Sequence, residues 1–161
     1  MTTEIDFPIP MRDGLKLSAN IYRPENPGQY PVIMAFTGFG KDLFWSEKHP
    51  GWGMEYEPNS PSVTGSITFE ANDPSFWVPN GYVLAIVDPR GFARSPGKMQ
   101  TAEIDGSVGE HGILHKGLWA RDMYDAIEWA GTQDWSNGNV GLSGISILAF
   151  SQWHRSLYPH L

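Results

Sequence analysis

Ser146 stands in the stretch of this chain best placed to do chemistry, Gly144-Ile145-Ser146-Ile147-Leu148-Ala149. An apolar run, Asn139-Val140-Gly141-Leu142-Ser143, precedes it, and a helix-compatible run, Ala149-Phe150-Ser151-Gln152-Trp153, follows. A serine on a sharp strand-to-helix turn presents its hydroxyl to solvent. Small neighbours let the strained backbone persist. The helix N-terminus then faces developing negative charge. That chemistry is nucleophilic attack on a carbonyl. The literal pattern G-x-S-x-G is absent, and two serines compete. Ser143 has Gly141 and Gly144 around it but Ile145 two residues on. Ser146 has Gly144 before it and Ala149 three after. A buried strand starting from the turn at Gly138-Asn139 needs about five residues. Ser143 then falls inside the strand, and the register favours Ser146. The competing reading is that both serines are small packing residues beside a close helix crossing.

A serine needs a base, and the base needs an orienting acid. Fifteen residues follow Ser146, and they contain no Asp or Glu. His154 and His160 do follow it. On a helix from 147 to 157, His154 would stand about 12 Å along the axis from Ser146, well beyond hydrogen-bond reach. It reads as a surface or packing residue. His49, His111 and His115 lie upstream in loops. Glu110, His111 and His115 could suggest a metal site, but loop residues so spaced are usually solvated. No metal and no cofactor is expected. Asp88 and Arg90 could serve as an acid and an anion clamp. At a strand end beside Gly91, they read better as braces that hydrogen-bond the loop backbone.

The elements that would position Ser146 follow from patterning. Glu4–Ile9 reads as an edge strand closed by Pro8 and Pro10. Asp13-Gly14 is a hairpin signal, and Leu15–Tyr22 alternates like a half-buried antiparallel strand. Val32–Phe36 and Tyr82–Val87 are continuous apolar runs, as in strands covered on both faces. Between them Gly38–Asn80 is long and aromatic. Trp45, Trp52, Phe69, Phe76 and Trp77 either line a pocket or cover the sheet. Asp73-Pro74 starts a short helix that stops at Gly81. Leu118, Met123, Ile127 and Ala130 mark one face of a helix over Leu118–Ala130, with Gly131 after it. Asp134–Asn139 is turn chemistry leading into the last strand. The order predicts an α/β sheet, antiparallel at its start and parallel later.

The 161 residues suit one domain, with 40% apolar and 18% charged residues. A formal net charge of −7 argues against nucleic acid or an anionic membrane as partner. The chain has no Cys, so thiolate catalysis and disulfides are excluded. The N-terminus lacks the basic and apolar regions of a signal peptide. No stretch reaches the roughly 18 apolar residues of a membrane span. A cytoplasmic location is expected.

Several segments together resemble the serine hydrolases of the X-Pro dipeptidyl-peptidase and cocaine esterase type. They are Met11-Arg12-Asp13-Gly14-Leu15-Lys16-Leu17, Pro31-Val32-Ile33-Met34 and Asp88-Pro89-Arg90-Gly91-Phe92-Ala93-Arg94-Ser95-Pro96-Gly97. Ala126-Ile127-Glu128-Trp129-Ala130, Trp135-Ser136-Asn137-Gly138-Asn139-Val140-Gly141 and the Ser146 turn complete the set in family order. The resemblance implies an α/β-hydrolase cleaving esters or amides of small molecules or peptides through an acyl-enzyme. It implies that residues 1–161 form the N-terminal part of a catalytic domain, cut short after the elbow helix. On that resemblance, the family's helical cap and β jelly-roll are expected to be absent from residues 1–161. Carried over residue by residue, Ser146 is the nucleophile and the Ile147 N–H an oxyanion donor. The family's second donor, a tyrosine hydroxyl, falls at Phe39, where the hydroxyl is missing. Losing one such donor costs about 3 kcal/mol of barrier; Tyr56 is a candidate to replace it. The family's tyrosine after the serine is Ile147 here, and its last elbow glycine is Ala149.

The chain by itself is therefore expected to hydrolyse esters weakly or not at all. The alternative is an inactive remnant that keeps the fold as a binding or interaction module. A sheet ending at the Val140–Ser143 strand would leave an unpaired edge, and such edges invite association. Self-association through that edge is expected. Light scattering checks it, and a monodisperse monomer would count against it.

Overall fold

A computed structural model describes residues 1–43, 67–98, 118–149 and 152 of the chain. Five strands form one sheet: β1 (Thr2–Pro10), β2 (Lys16–Arg23), β3 (Tyr30–Phe36), β4 (Val83–Val87) and β5 (Ser136–Leu142). Their spatial order is β1-β2-β4-β3-β5. β1 pairs antiparallel with β2, and β2 antiparallel with β4. β3 then pairs parallel with both β4 and β5. The antiparallel start and parallel continuation match the expectation from the sequence. α1 (Pro74–Trp77) and α2 (Leu118–Gly131) flank the sheet.

Each strand forms for a readable reason. β1 lies at one edge, where Pro8 and Pro10 cost the ladder least. Its register shifts between Glu4 and Phe7, and Asp6 takes φ 55° in that bulge. β4 is buried along its whole length, so its continuous Val-Leu-Ala-Ile-Val run has apolar partners on both faces. Val83, Ala85 and Val87 join Val32, Met34, Phe36 and the α2 residues Met123, Ala126 and Ala130. Leu84 and Ile86 point the other way and join Ala35, Val78 and Leu148. α2 thus covers one face. α1 and the turn after β5 cover the other. Asp73 caps α1 by accepting from the Ser75 N–H, and Pro74 opens its first turn.

The last strand departs from the sequence reading. Asp134–Asn139 was expected to be a turn, yet β5 already begins at Ser136. Ser136 pairs with Tyr30, and the register slips before Val140 meets Val32. Gly138, at φ 87°, absorbs the slip, so turn chemistry is spent on an irregular strand start. Ser143 lies one residue past β5, but its N–H still donates to the Met34 carbonyl at 3.0 Å. Of the aromatic residues in the long loop, Phe69 is buried, Trp77 packs on the sheet, and Phe76 is exposed on Trp77. Trp45, Trp52 and Tyr56 lie outside the described residues.

Two ion pairs fasten α2 to the sheet's loops, and burial separates their worth. Arg90 makes a bidentate pair with Asp122, with N–O distances of 2.7 and 2.8 Å, and Asp13 adds a third carboxylate contact at 2.7 Å. Only 3% of the Asp122 side chain is exposed. Burial pushes the Asp122 carboxyl up, and the Arg90 fork works against that. Arg12 grips Asp125 with similar geometry, but the Arg12 side chain is half exposed. Removing Asp122 leaves the nearly buried Arg90 guanidinium with the half-exposed Asp13 alone. Asp122→Ala is therefore expected to be clearly destabilising. Asp125→Ala, whose Arg12 partner is half exposed, is expected to cost less. Denaturant midpoints of the two variants check the difference, and equal shifts would refute it.

Candidate active site

The three parallel strands end on the same side of the sheet. There the loops after β3 (Thr37–Lys41), β4 (Asp88–Gly97) and β5 (Ser143–Ile147) come together. In open α/β sheets this carboxyl edge is where ligands bind. Ser146 lies on that edge, exposed, with φ 54°. A left-handed backbone on a non-glycine residue costs on the order of 1–3 kcal/mol, and it persists where the surroundings enforce it. Here the enforcement is local. The Leu148 N–H donates to the Ile145 carbonyl and the Ala149 N–H to the Ser146 carbonyl, both at 3.0 Å, starting a helical turn at 147–149. Leu148 is fully buried and anchors that turn in the sheet's second apolar cluster. Gly144 is needed because a Cβ there would collide with the Leu148 Cβ. Ser143, expected inside the strand, lies one residue past the end of β5 with its N–H still bonded to Met34, three residues before the turn that holds Ser146.

Ile147 and Phe39 come together as well. Both side chains pack in the same cluster with Leu148 and Ala71. The β3 loop passes so close to the elbow that a Cβ at Gly38 would sit 3.2 Å from the Ile147 side chain. Among the described residues nothing accepts from the Ile147 N–H, which leaves it available to a ligand anion. The Phe39 N–H is not available, because it donates to the Thr37 hydroxyl at 3.1 Å. The Phe39 ring meets the Phe69 ring edge-on, with centroids 4.8 Å apart.

A buried carboxylate holds the β3 and β4 loops together. Asp88 is fully buried and accepts the Lys41 N–H at 2.7 Å and the Arg94 N–H at 3.1 Å. Its own carbonyl accepts from Ser95 Oγ, which in turn accepts the Ser18 N–H. Burial pushes the Asp88 carboxyl up, and the two backbone bonds and the Lys41 charge oppose this. The bracing role expected of Asp88 is what its contacts provide. Arg90 braces differently from the expectation. Its partners are the carboxylates of Asp122 and Asp13, because a five-donor guanidinium next to α2 finds paired acceptors there.

Sequence reasoning passed over Lys41. Its side chain is completely buried, and its Nζ lies 2.6 Å from Asp6 Oδ1 and 3.0 Å from Asp42 Oδ2. Arg94 completes the cluster at 2.8 Å from Asp42. Hydrogen bonding to Lys41 holds the Asp6 carboxyl below the usual range. Burial alone would raise Asp42, but bonds from Asn20, Lys41 and Arg94 carry it lower. All five histidines, including His154 and His160, and the Glu110, His111 and His115 group lie outside the described residues.

A family model for the X-Pro dipeptidyl-peptidases (S15 family) matches residues 13–158. Over 151 residues the chain is 28% identical to the cocaine esterase of Rhodococcus sp. (strain MB1 Bresler), covering 92% of this chain and 20% of the esterase. The crystal structure of a CocE/NonD family hydrolase from Staphylococcus aureus superposes with a TM-score of 0.72 at 37% identity. That match covers 98% of this chain and 25% of the hydrolase. An aminopeptidase from a marine-sediment Thaumarchaeota archaeon shares the fold at 22% identity, with a TM-score of 0.61 over 95% of this chain and 22% of its own. The chain thus spans a fifth to a quarter of the length of these relatives. Its mixed sheet is the α/β-hydrolase sheet expected from the sequence.

The close approach of Gly144 to Leu148 is testable. Gly144→Ala should lower stability by about 1–3 kcal/mol, the usual cost of overpacking. An unchanged unfolding midpoint would show that the elbow has room to spare.

Proposed function

This chain belongs to the X-Pro dipeptidyl-peptidase (S15) family, and on that premise we propose that it carries the nucleophile of an acyl-transfer serine hydrolase. The observation that supports this most is Ser146. It is an exposed hydroxyl on a left-handed backbone at the carboxyl edge of three parallel strands. On this reading Ser146 Oγ attacks the carbonyl carbon of an ester or peptide bond. Its proton passes to a histidine base. The carbonyl oxygen becomes an oxyanion that takes the Ile147 N–H. Collapse then expels the alcohol or amine, which receives the proton from the histidine. Water repeats the sequence in reverse to free the acid and restore Ser146. The acid and histidine follow the serine in the chain order of this fold. Their identities belong to the proposal, as does the substrate, a small ester or a peptide.

Phe39 supports a second reading. Where the resembled family carries a tyrosine hydroxyl, this chain offers a ring packed on Phe69. A hydrolase with one oxyanion donor works slowly, and an inactive module that keeps the fold would tolerate the change.

Hydrolysis of a short-chain p-nitrophenyl ester separates the two. The proposal expects a slow rate that Ser146→Ala abolishes and that Phe39→Tyr raises by about tenfold or more, given that one donor contributes 10²–10³ in the best-studied case. Equal rates for the unaltered chain and Ser146→Ala would remove Ser146 from the chemistry and favour the inactive module.

A further inference from the structure

The chain contains two Asn-Gly pairs, Asn80-Gly81 and Asn137-Gly138. In such a pair the glycine nitrogen can attack the asparagine side-chain carbonyl and close a five-membered imide, because the glycine has no side chain to obstruct the approach. The attack needs two freedoms. The glycine N–H must give up its proton, and the asparagine amide must be able to turn toward the nitrogen. Both asparagines are exposed. Both glycines have a positive φ, 84° at Gly81 and 87° at Gly138. Exposure and backbone region therefore do not separate the two pairs. Hydrogen bonding does.

Asn80-Gly81 is tied down on both sides. The Gly81 N–H donates to the Val78 carbonyl at 3.1 Å and closes the turn after α1. Asn80 Nδ2 donates to the Phe76 carbonyl at 2.7 Å. The N–H groups of Asn80 and Tyr82 both donate to the Trp77 carbonyl, and β4 begins at Val83. Attack there would break a backbone bond and a short side-chain bond together.

Asn137-Gly138 stands in the opposite condition. β5 is an edge strand of the sheet. Asn137, Gly138 and Asn139 fall in the register slip between the Ser136–Tyr30 and Val140–Val32 pairs, and all three are exposed. Among the described residues the Gly138 N–H has only the Ser136 hydroxyl, at 3.2 Å. That distance is at the long end of the normal range, and a hydroxyl serves more weakly in such turns than a carbonyl does. The Asn139 N–H donates to Asn137 Oδ1 at 3.0 Å. This bond spans Gly138, so it keeps the side-chain carbonyl folded over the nitrogen that attacks it. It also draws charge from Cγ, as a donor does at any carbonyl under attack.

From this contrast we infer that Asn137 is a site of spontaneous deamidation selected by the fold, with water as the co-reactant. The Gly138 nitrogen loses its proton to solvent base and bonds to Asn137 Cγ. The Cγ–Nδ2 bond breaks, and Nδ2 leaves as ammonia with a proton taken from solvent. Water then opens the imide. Cleavage between Cγ and the Gly138 nitrogen gives aspartate at position 137. Cleavage between the main-chain carbonyl carbon and that nitrogen gives the β-linked isomer. Either product adds a carboxylate to a chain of formal net charge −7. The β-linked one also adds a carbon to the main chain of the strand that leads to Ser146. The inference is independent of the reading of Ser146 as nucleophile.

Peptide mapping by mass tests it on the full chain, held at neutral and at mildly alkaline pH, both folded and in denaturant. In denaturant the two pairs should convert at similar rates, because sequence alone then governs them. In the folded chain position 80 should slow by about tenfold or more. Position 137 should stay within a few-fold of its denatured rate, react faster at the higher pH, and yield both aspartate and its β-linked isomer. Gly138→Ala, which puts a methyl group in the path of attack, should slow conversion at position 137 and leave position 80 unchanged. Equal rates at the two positions in the folded chain, or a slower rate at 137 than at 80, would overturn the inference.

Discussion

One buried carboxylate joins the loops that make up the working edge of this sheet. Asp88 ends β4 and takes backbone N–H groups from the β3 loop at Lys41 and from its own loop at Arg94. Neither loop has regular structure of its own, so those two bonds do for them what a ladder does for a strand. Phe39 lies two residues before Lys41, and Gly38 lies against Ile147. The position of the β3 loop over the serine elbow thus depends on an acid that never needs to meet a substrate. The energetic terms agree. Desolvation of the carboxylate is offset by charge-assisted bonds to backbone donors that would themselves be orphaned without it.

The sheet supplies the rigid part of this arrangement. β3 and β4 run parallel and are covered on both faces, which fixes where their ends can be, and β5 pairs parallel with β3 while staying largely exposed. The strain at Ser146 is tolerated because the buried Leu148 holds the segment on which it sits. Rigid scaffold and strained rim are parts of one design, in which packing energy from the core maintains conformations that no local preference would choose.

The sheet was legible in the sequence because its signals are local. Val83–Val87 reads as a doubly covered strand from composition alone, and Ser146 reads as the turn residue from the count between Gly138 and Gly144. The start of β5 was not legible, because Ser136–Asn139 carries turn residues that a register slip against Tyr30 converts into strand. Lys41 was missed for a different reason. A lysine in a loop is solvated by default, and only the meeting of Asp6, Asp42 and Arg94 around it reverses that default.

The bulge in β1 reaches further than its edge position suggests. Asp6, left-handed in its backbone and itself exposed, is one of two carboxylates that meet the buried ammonium of Lys41. The first few residues of the chain are therefore a latch on the loop beside the serine. Cleavage or displacement of that N-terminal arm would leave a buried cation one partner short, and the disturbance would be felt at the carboxyl edge of the sheet, at the opposite end of the strand order from β5.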